Sequence, residues 1–294
     1  MNKFVIITDA TCDLPQSIVD QYHLDYFPME VNFGEEVLKQ FLDERGFKLQ
    51  DFYARLDNKE VAKTSLIPMQ AFIDKFTPYL EKGIDVFYLG LSSGLSATWA
   101  QANLAREELL AHFKNRKIVL VDSLSASLAE GVLVIEALKM QKEGATIEEV
   151  ATHIEKLRHQ VVAFLAPQDL KTLERGGRVS AAKAFFGNLM GVVPIITIDD
   201  EGKLVPVSKA RGFKKVAMEM IELSKDLVKK PYKGSIHIVH SNALESAQLL
   251  GKMFTEAFGG GEVIISNLGP VISAHTGTGS VCIIFTGEHR LKIK

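Results

Sequence analysis

Short uninterrupted apolar runs, separated by stretches with helical periodicity, constrain the fold of this chain more than any other feature. Phe4–Thr8, Val86–Leu91 and Ile118–Asp122 are apolar without alternation, as expected of strands covered on both faces. Between and after these runs, Ser96–Phe113 and Ser127–Lys142 have the pattern of helices. The alternation predicts a mostly parallel sheet with flanking helices in the first half of the chain.

The second half has a different pattern, in which apolar runs are paired. Val192–Ile198 and Lys203–Val207 flank the turn Asp199–Gly202, which is a strong signal for a β-hairpin. The other predicted elements are helices near Thr146–Gln160, Gly212–Lys229 and Leu244–Phe258 and strands at Ser235–Val239, Glu262–Ser266 and Val281–Thr286. Paired strands with helices between them are typical of an α+β domain. We therefore predict an α/β protein with one domain at residues 1–155 and a second at 156–294.

Length, charge and cysteine content exclude several function classes. The 294 residues suit two domains, and a formal net charge of −2 argues against a nucleic-acid partner. No uninterrupted apolar run approaches the ~20 residues that span a bilayer. The chain starts with a predicted strand instead of a signal peptide, and Cys12 and Cys282 lack metal-ligand spacing. These features predict a cytoplasmic protein with two buried free thiols and no metal or cofactor.

Hydroxyl side chains are concentrated after the second strong strand, where a helix begins. Ser92, Ser93, Ser96 and Thr98 lie within seven residues, next to Gly94. Hydroxyls and unpaired amides at a helix N-terminus suit an anion, and capping would explain one hydroxyl but not four. We interpret this segment as part of a ligand site. It does not form a Gly-x-Ser-x-Gly nucleophile elbow.

Three further polar segments leave two interpretations open. Asp9 and Thr11 follow the first strand and either bind a polar group at the sheet edge or bond to loop amides, with Asp13 capping the next helix. Thr64-Ser65 either contributes to a site or caps the helix predicted at 70–80. His275, among small hydroxyl residues, either donates to a carboxylate or has a structural role.

Two arginines surround a glycine pair in Leu173–Ser180. The glycines let backbone amides approach an anion, and Arg175 and Arg178 suit a phosphate or an acidic partner. Arg211, after the predicted hairpin, is a candidate third member. The alternative is a solvated turn.

Taken together, these segments resemble the DegV family, in the order expected of it. The resemblance is carried by Asp9-Ala10-Thr11, Thr64-Ser65, Ser92–Thr98, Gly176–Ser180 and His275–Gly279. It covers nearly the whole chain, and its strength comes from five segments in sequence. Ala10, Leu66-Ile67, Ala97 and Thr278 depart from the family pattern, so acyl selectivity stays open.

The resemblance implies a two-domain fold with one long-chain fatty acid in a buried tunnel between the domains. It also implies the role of the binding subunit of fatty acid kinase, which presents the carboxylate to a separate ATP-using subunit and carries acyl phosphate towards phospholipid synthesis. Such a carrier has no catalytic step of its own, and transient contact with a membrane surface is compatible with it. By position, the ligand-binding residues are Thr64, Ser65, Ser92, Ser93, Ser96 and His275, with Thr64 and Ser93 as carboxylate donors. Arg175, Arg178 and Arg211 would serve the kinase contact, the product phosphate or domain packing.

Two other functions remain open from the sequence. One is an acyl-ester hydrolase with Ser93 as nucleophile and His275 as base, although no orienting carboxylate for His275 is evident. The other is a regulatory protein that senses a lipid and binds a protein partner. A phosphate-binding Gly-x-x-x-x-Gly-Lys-[Ser/Thr] loop is absent, so we expect no ATP hydrolysis by this chain alone.

Overall fold

A computed structural model describes residues 3–168, 170–179 and 191–293. The first part of the chain contains β1 Phe4–Asp9, α1 Gln16–Tyr22, β2 Asp25–Phe27, β3 Met29–Phe33, β4 Glu36–Gln40, α2 Leu49–Asp57, β5 Ala62–Thr64, α3 Met69–Glu81, β6 Asp85–Gly90, α4 Thr98–His112, β7 Ile118–Asp122, α5 Leu128–Lys142 and α6 Ile147–Leu157. The second part contains β8 Val161–Ala166, α7 Leu170–Gly176, β9 Val193–Ile198, β10 Leu204–Ala210, α8 Phe213–Ser224, β11 Ile236–His240, α9 Leu244–Phe258, β12 Val263–Asn267, α10 Pro270–Thr276 and β13 Val281–Thr286.

The first part forms the predicted parallel sheet. Its four strands have the order β2-β1-β6-β7 and are all parallel. All six side chains of β6 are buried, in agreement with the continuous apolar run from which that strand was predicted. Because the strands are parallel, the loops after β1, β6 and β7 emerge at one edge of the sheet.

A second, small sheet was not predicted. It pairs β3 with β4 and β5 in antiparallel orientation, and it buries Met29, Val31 and Phe33 on one face. Strands of three to five residues with a polar outer face leave little signal in the sequence. This sheet matters for the site because β5 places Thr64 directly beside Val31.

The C-terminal part is built on a six-stranded mixed sheet with the order β10-β9-β8-β13-β11-β12. The predicted hairpin is β9–β10, whereas β11 and β12 pair in parallel. The central strand β8 was not predicted, although all six of its side chains are buried. The prediction for residues 212–229 was too long, since α8 ends at Ser224. The two-domain α/β fold is confirmed, and the boundary that we propose at residue 155 falls near the end of α6.

Direct contacts join the two domains. Helix α5 contacts β1 of the parallel sheet and also β8 and β13 of the mixed sheet. The buried Arg290 guanidinium donates to the carbonyl oxygens of Leu124 (2.8 Å) and Asp199 (2.7 Å), which belong to different domains. The Ser92 hydroxyl donates to the carbonyl oxygen of Gly202 at the tip of the β9–β10 hairpin, at 2.8 Å. The domains therefore pack as one body around the space between their sheets.

Local contacts define the starts of α6 and α1 and the state of the two cysteines. Thr146 caps α6 through a complete capping box with Glu149. The expectation that Asp13 caps α1 is wrong, because that helix begins after Pro15 and its N-cap position makes no side-chain hydrogen bond. Cys12 and Cys282 are both buried and free, as predicted. Within the described ranges, no helix combines the length and apolar character needed to cross a bilayer.

Candidate functional site

A cavity of about 270 Å³ lies between the two domains. Both domains contribute aliphatic side chains to it, among them Met29, Leu91, Leu165, Ile196, Ile198 and Leu268. A concave, mostly apolar space with a few polar groups is the usual form of a small-molecule site. The polar groups of this cavity are therefore the ones that would orient a ligand.

Thr64 and His275 form a polar pair in this lining. The Thr64 hydroxyl oxygen lies 2.8 Å from Nε2 of His275, and both residues face the cavity. Thr64 is held at the end of β5, whereas His275 belongs to α10 of the other domain. The pair therefore exists only when the two domains are packed together.

The imidazole of His275 is neutral at physiological pH. Burial, and to a smaller extent the positive charge of Arg178, lowers the pKa of His275 to about 4. A neutral imidazole carries one N–H donor, and the Thr64 hydroxyl carries another. One of these hydrogens lies between the two residues in their mutual hydrogen bond. With the imidazole proton on Nε2, a carboxylate that replaces this bond can accept from both groups.

Gly176 provides the space for this ring. A Cβ atom at residue 176 would lie 2.8 Å from Nδ1 of His275, which is closer than normal van der Waals contact. Gly176, the first glycine of the predicted pair, therefore lets α7 approach His275. This is a different role from the anion contact that the sequence suggested for its backbone amides.

Only some of the serines predicted for the site line the cavity. Ser65 and Ser96 line the cavity together with Thr64 and His275. Ser92 is fully buried, and its hydroxyl is engaged by Gly202. Ser93 is exposed, and its backbone amide donates to Asp122 at 3.2 Å. Neither Ser92 nor Ser93 belongs to the described lining of the cavity.

This chain has clear relatives among known proteins. The model of the DegV family, described as uncharacterised proteins, matches residues 3–288. The chain belongs to the DegV family. A DegV domain-containing protein of Clostridium perfringens is 34% identical over 98% of this chain and 99% of its own length.

Solved DegV structures have the same fold. A DegV lipid-binding protein of Thermotoga maritima is 30% identical, with a TM-score of 0.83 over 98% of this chain and 99% of that one. DegV of Bacillus subtilis, described as a fatty acid binding protein, is 27% identical, with a TM-score of 0.82 over 98% and 100%. Several structural neighbours of this DegV chain are thus described as lipid or fatty-acid binders.

The three arginines singled out in the DegV chain lie in different places. Arg178 is exposed at the cavity, where its guanidinium donates to the carbonyl oxygen of Gly176 at 2.7 Å. Arg175 is also exposed, and it lines a neighbouring cleft that includes Thr172. Arg211 is exposed directly after β10 and outside the described cavity lining. Ser180, the last residue of the glycine–arginine motif, lies outside the described residues.

Asp9 and Thr11 are buried in a polar cluster instead of facing the cavity. Asp9 accepts hydrogen bonds from the amides of Thr11 (3.0 Å) and Leu91 (3.1 Å), which confirms the interpretation that it bonds to loop amides. Thr11 also donates to Glu130, whose pKa is raised by burial and by the charge of Asp9. Glu130 was not singled out, although an acid in an apolar helix is a detectable signal. This cluster links β1, the turn after it, β6 and α5 beside the site.

His275 is expected to make the stability of this fold depend on pH. Its pKa falls from 6.5 in the unfolded chain to about 4 in the folded one. The unfolded chain therefore takes up a proton first, so the contribution of His275 to the free energy of unfolding is lost as the pH drops from about 6.5 to about 4. Asp13, whose pKa is raised to about 7 by burial, acts in the opposite direction in both proteins. The free energy of unfolding in urea of the wild type minus that of His275→Gln should therefore decrease over this range, because glutamine does not titrate. A difference that stays constant with pH would contradict the assignment.

Proposed function

We propose that this DegV-family chain binds one long-chain fatty acid in the interdomain cavity. The acyl chain lies against the aliphatic lining, and the carboxylate accepts hydrogen bonds from Thr64 and His275. The observation that carries this proposal is their polar pair, 2.8 Å apart and drawn from both domains, in a largely apolar space. The lipid and fatty-acid binding described for the Thermotoga maritima and Bacillus subtilis relatives supports it.

The two parts of the ligand contribute differently to binding. Burying a methylene group is worth ~0.8 kcal/mol, so ~14 methylenes give roughly 11 kcal/mol before association costs. A hydrogen bond to a charged acceptor contributes roughly 1.5–3 kcal/mol. The acyl chain therefore supplies most of the affinity, and the Thr64–His275 pair determines which end of the ligand lies where.

We further propose that the bound carboxylate is presented to a separate, ATP-dependent kinase subunit. Arg178 is an exposed cation in the lining of the cavity, and Arg175 and Arg211 add positive charge elsewhere on the surface. Guanidinium groups bind phosphate and carboxylate with two parallel hydrogen bonds, so these residues suit an acidic partner or the phosphate of the product. The chain itself then acts as a carrier.

The hydrolase alternative has less support. It requires Ser93 beside His275, but Ser93 is exposed outside the described lining and His275 Nε2 faces Thr64. A lipid-sensing regulator would share the binding step with the carrier and would differ from it only after the lipid is bound.

Native mass spectrometry of the purified protein tests the binding step. We expect a bound species heavier than the protein by the mass of one C14–C18 fatty acid, or its formation after incubation with palmitic acid. Trapping of acyl phosphate with hydroxylamine, after addition of a fatty acid kinase subunit and ATP, tests presentation. Protein that stays bare in both preparations would exclude the proposed function, and binding without acyl phosphate would favour the sensor.

A further inference from the structure

Asp13 is a buried carboxyl group on which hydrogen-bond donors from both domains converge. The residue is 7% exposed, and Oδ2 accepts a hydrogen bond from the Ser127 hydroxyl at 2.6 Å. Its carboxyl also accepts from the Gln40 side-chain amide at 3.3 Å and from the backbone amide of Gly269. Burial raises the pKa of Asp13 to about 7, which reflects the free-energy cost of placing a carboxyl group there.

Gln40, which donates to Asp13, also forms a hydrogen bond with the other domain. It is 3% exposed at the end of β4, and its amide nitrogen donates to the carbonyl oxygen of Ala10 at 2.7 Å. Its amide oxygen accepts from the backbone N–H of Val271 at 2.8 Å. The first amides of a helix have no partner within the helix, so Gln40 supplies an acceptor to α10 from the other domain.

The N-terminus of α10 packs closely against the side chains of Asp13 and Gln40. A Cβ atom at Gly269 would lie 2.0 Å from Asp13 Oδ1 and 2.5 Å from the Gln40 amide nitrogen, so only glycine allows this approach. Val271 lines the cavity, and His275 follows it by four residues on the same face of the helix. A shift of the first turn of α10 is therefore transmitted to the His275 ring.

We propose that Asp13 and Gln40 are positioning residues for fatty-acid binding. From the N-terminal domain they hold α10 in the position that places His275 in contact with Thr64. This inference rests on the proposed function, because it assigns His275 to the ligand carboxylate. Ser127 belongs to the same arrangement, since it lines the cavity and donates to Asp13. Neither Asp13 nor Gln40 needs to touch the ligand for this role.

A double-mutant cycle separates positioning from general stability. Gln40→Met keeps the length of the side chain but removes the acceptor for the Val271 amide. We expect palmitate affinity to fall by about 10-fold, the equivalent of one lost hydrogen bond to the carboxylate. In a His275→Ala background, the same substitution should cost less than about 2-fold, because the group through which it acts is absent.

The His275 imidazole resonances provide a second readout. We expect these resonances to shift in Gln40→Met. The free energy of unfolding in urea, measured for the same variant, shows how much general stability has changed. Asp13→Asn is isosteric and removes one acceptor, so it replaces Gln40→Met in the cycle if the methionine variant does not fold. Equal losses of affinity with and without His275, in whichever variant is used, would overturn the positioning role. If the wild-type protein bound no palmitate, that result would instead contradict the proposed function.

Discussion

Replacement of Thr64 by valine or of His275 by alanine is expected to weaken fatty-acid binding by about 10- to 100-fold. Each substitution removes one hydrogen bond to a charged acceptor, which is worth roughly 1.5–3 kcal/mol. Binding should persist in both variants, since the acyl chain supplies most of the free energy. Thr64→Val is nearly isosteric, so the cavity shape is preserved. Displacement of a fluorescent fatty acid by palmitate measures the effect.

Ser93→Ala is the matched control for this experiment. The Ser93 side chain is exposed and outside the described lining of the cavity, so the affinity should change by less than 2-fold on the scale of ~0.4 kcal/mol for surface substitutions. A loss in Ser93→Ala as large as in Thr64→Val would place the carboxylate at the turn after β6. It would then support the sequence-based assignment of Ser93 instead of the one derived from the structure.

Filling the cavity on its mixed-sheet side is expected to change which acyl chains are bound. Ala163 on β8 and Cys282 on β13 line the cavity, and each is 8% exposed although both strands are central in the sheet. Ala163→Leu adds three carbon atoms and should remove room for about three methylenes. At ~0.8 kcal/mol each, palmitate should bind roughly 50-fold more weakly. Laurate, with four carbons fewer, should bind within about 3-fold of the wild-type value.

Ala111→Leu makes the same chemical change at an exposed position of α4. It should leave the chain-length profile from C12 to C18 unchanged. The comparison requires both variants to unfold at similar urea concentrations, because overpacking a core can cost 1–3 kcal/mol of stability. An unaltered profile in a folded Ala163→Leu protein would mean that the acyl chain does not reach this part of the cavity.

The parts of the fold that were predictable are those with a local signal. β6 and β7 are apolar runs because helices cover both faces of their sheet, and the acidic turn at 199–202 identified the β9–β10 hairpin. The small sheet that carries Thr64 gives no comparable signal, since its strands are three to five residues long. The position of Thr64 therefore became clear only from the structure.

The candidate site was predictable in its residue types more than in its geometry. Thr64 and His275 are 211 residues apart, and their contact depends on the packing of two domains. A cluster of hydroxyls at a helix N-terminus does not show which of them faces inward. Here Ser96 does, whereas Ser92 bonds to Gly202 and Ser93 faces solvent. Ala163 and Cys282 gave no signal, because small apolar residues are ordinary in buried strands.

A crystal structure of the protein loaded with palmitic acid tests the central claim most directly. We expect one acyl chain in the cavity between the domains, with its carboxylate within hydrogen-bond distance of Thr64 Oγ1 and His275 Nε2. The far end of the chain should lie against Ala163 and Cys282. A ligand bound outside this cavity, or inside it with the carboxylate directed away from Thr64 and His275, would contradict the account.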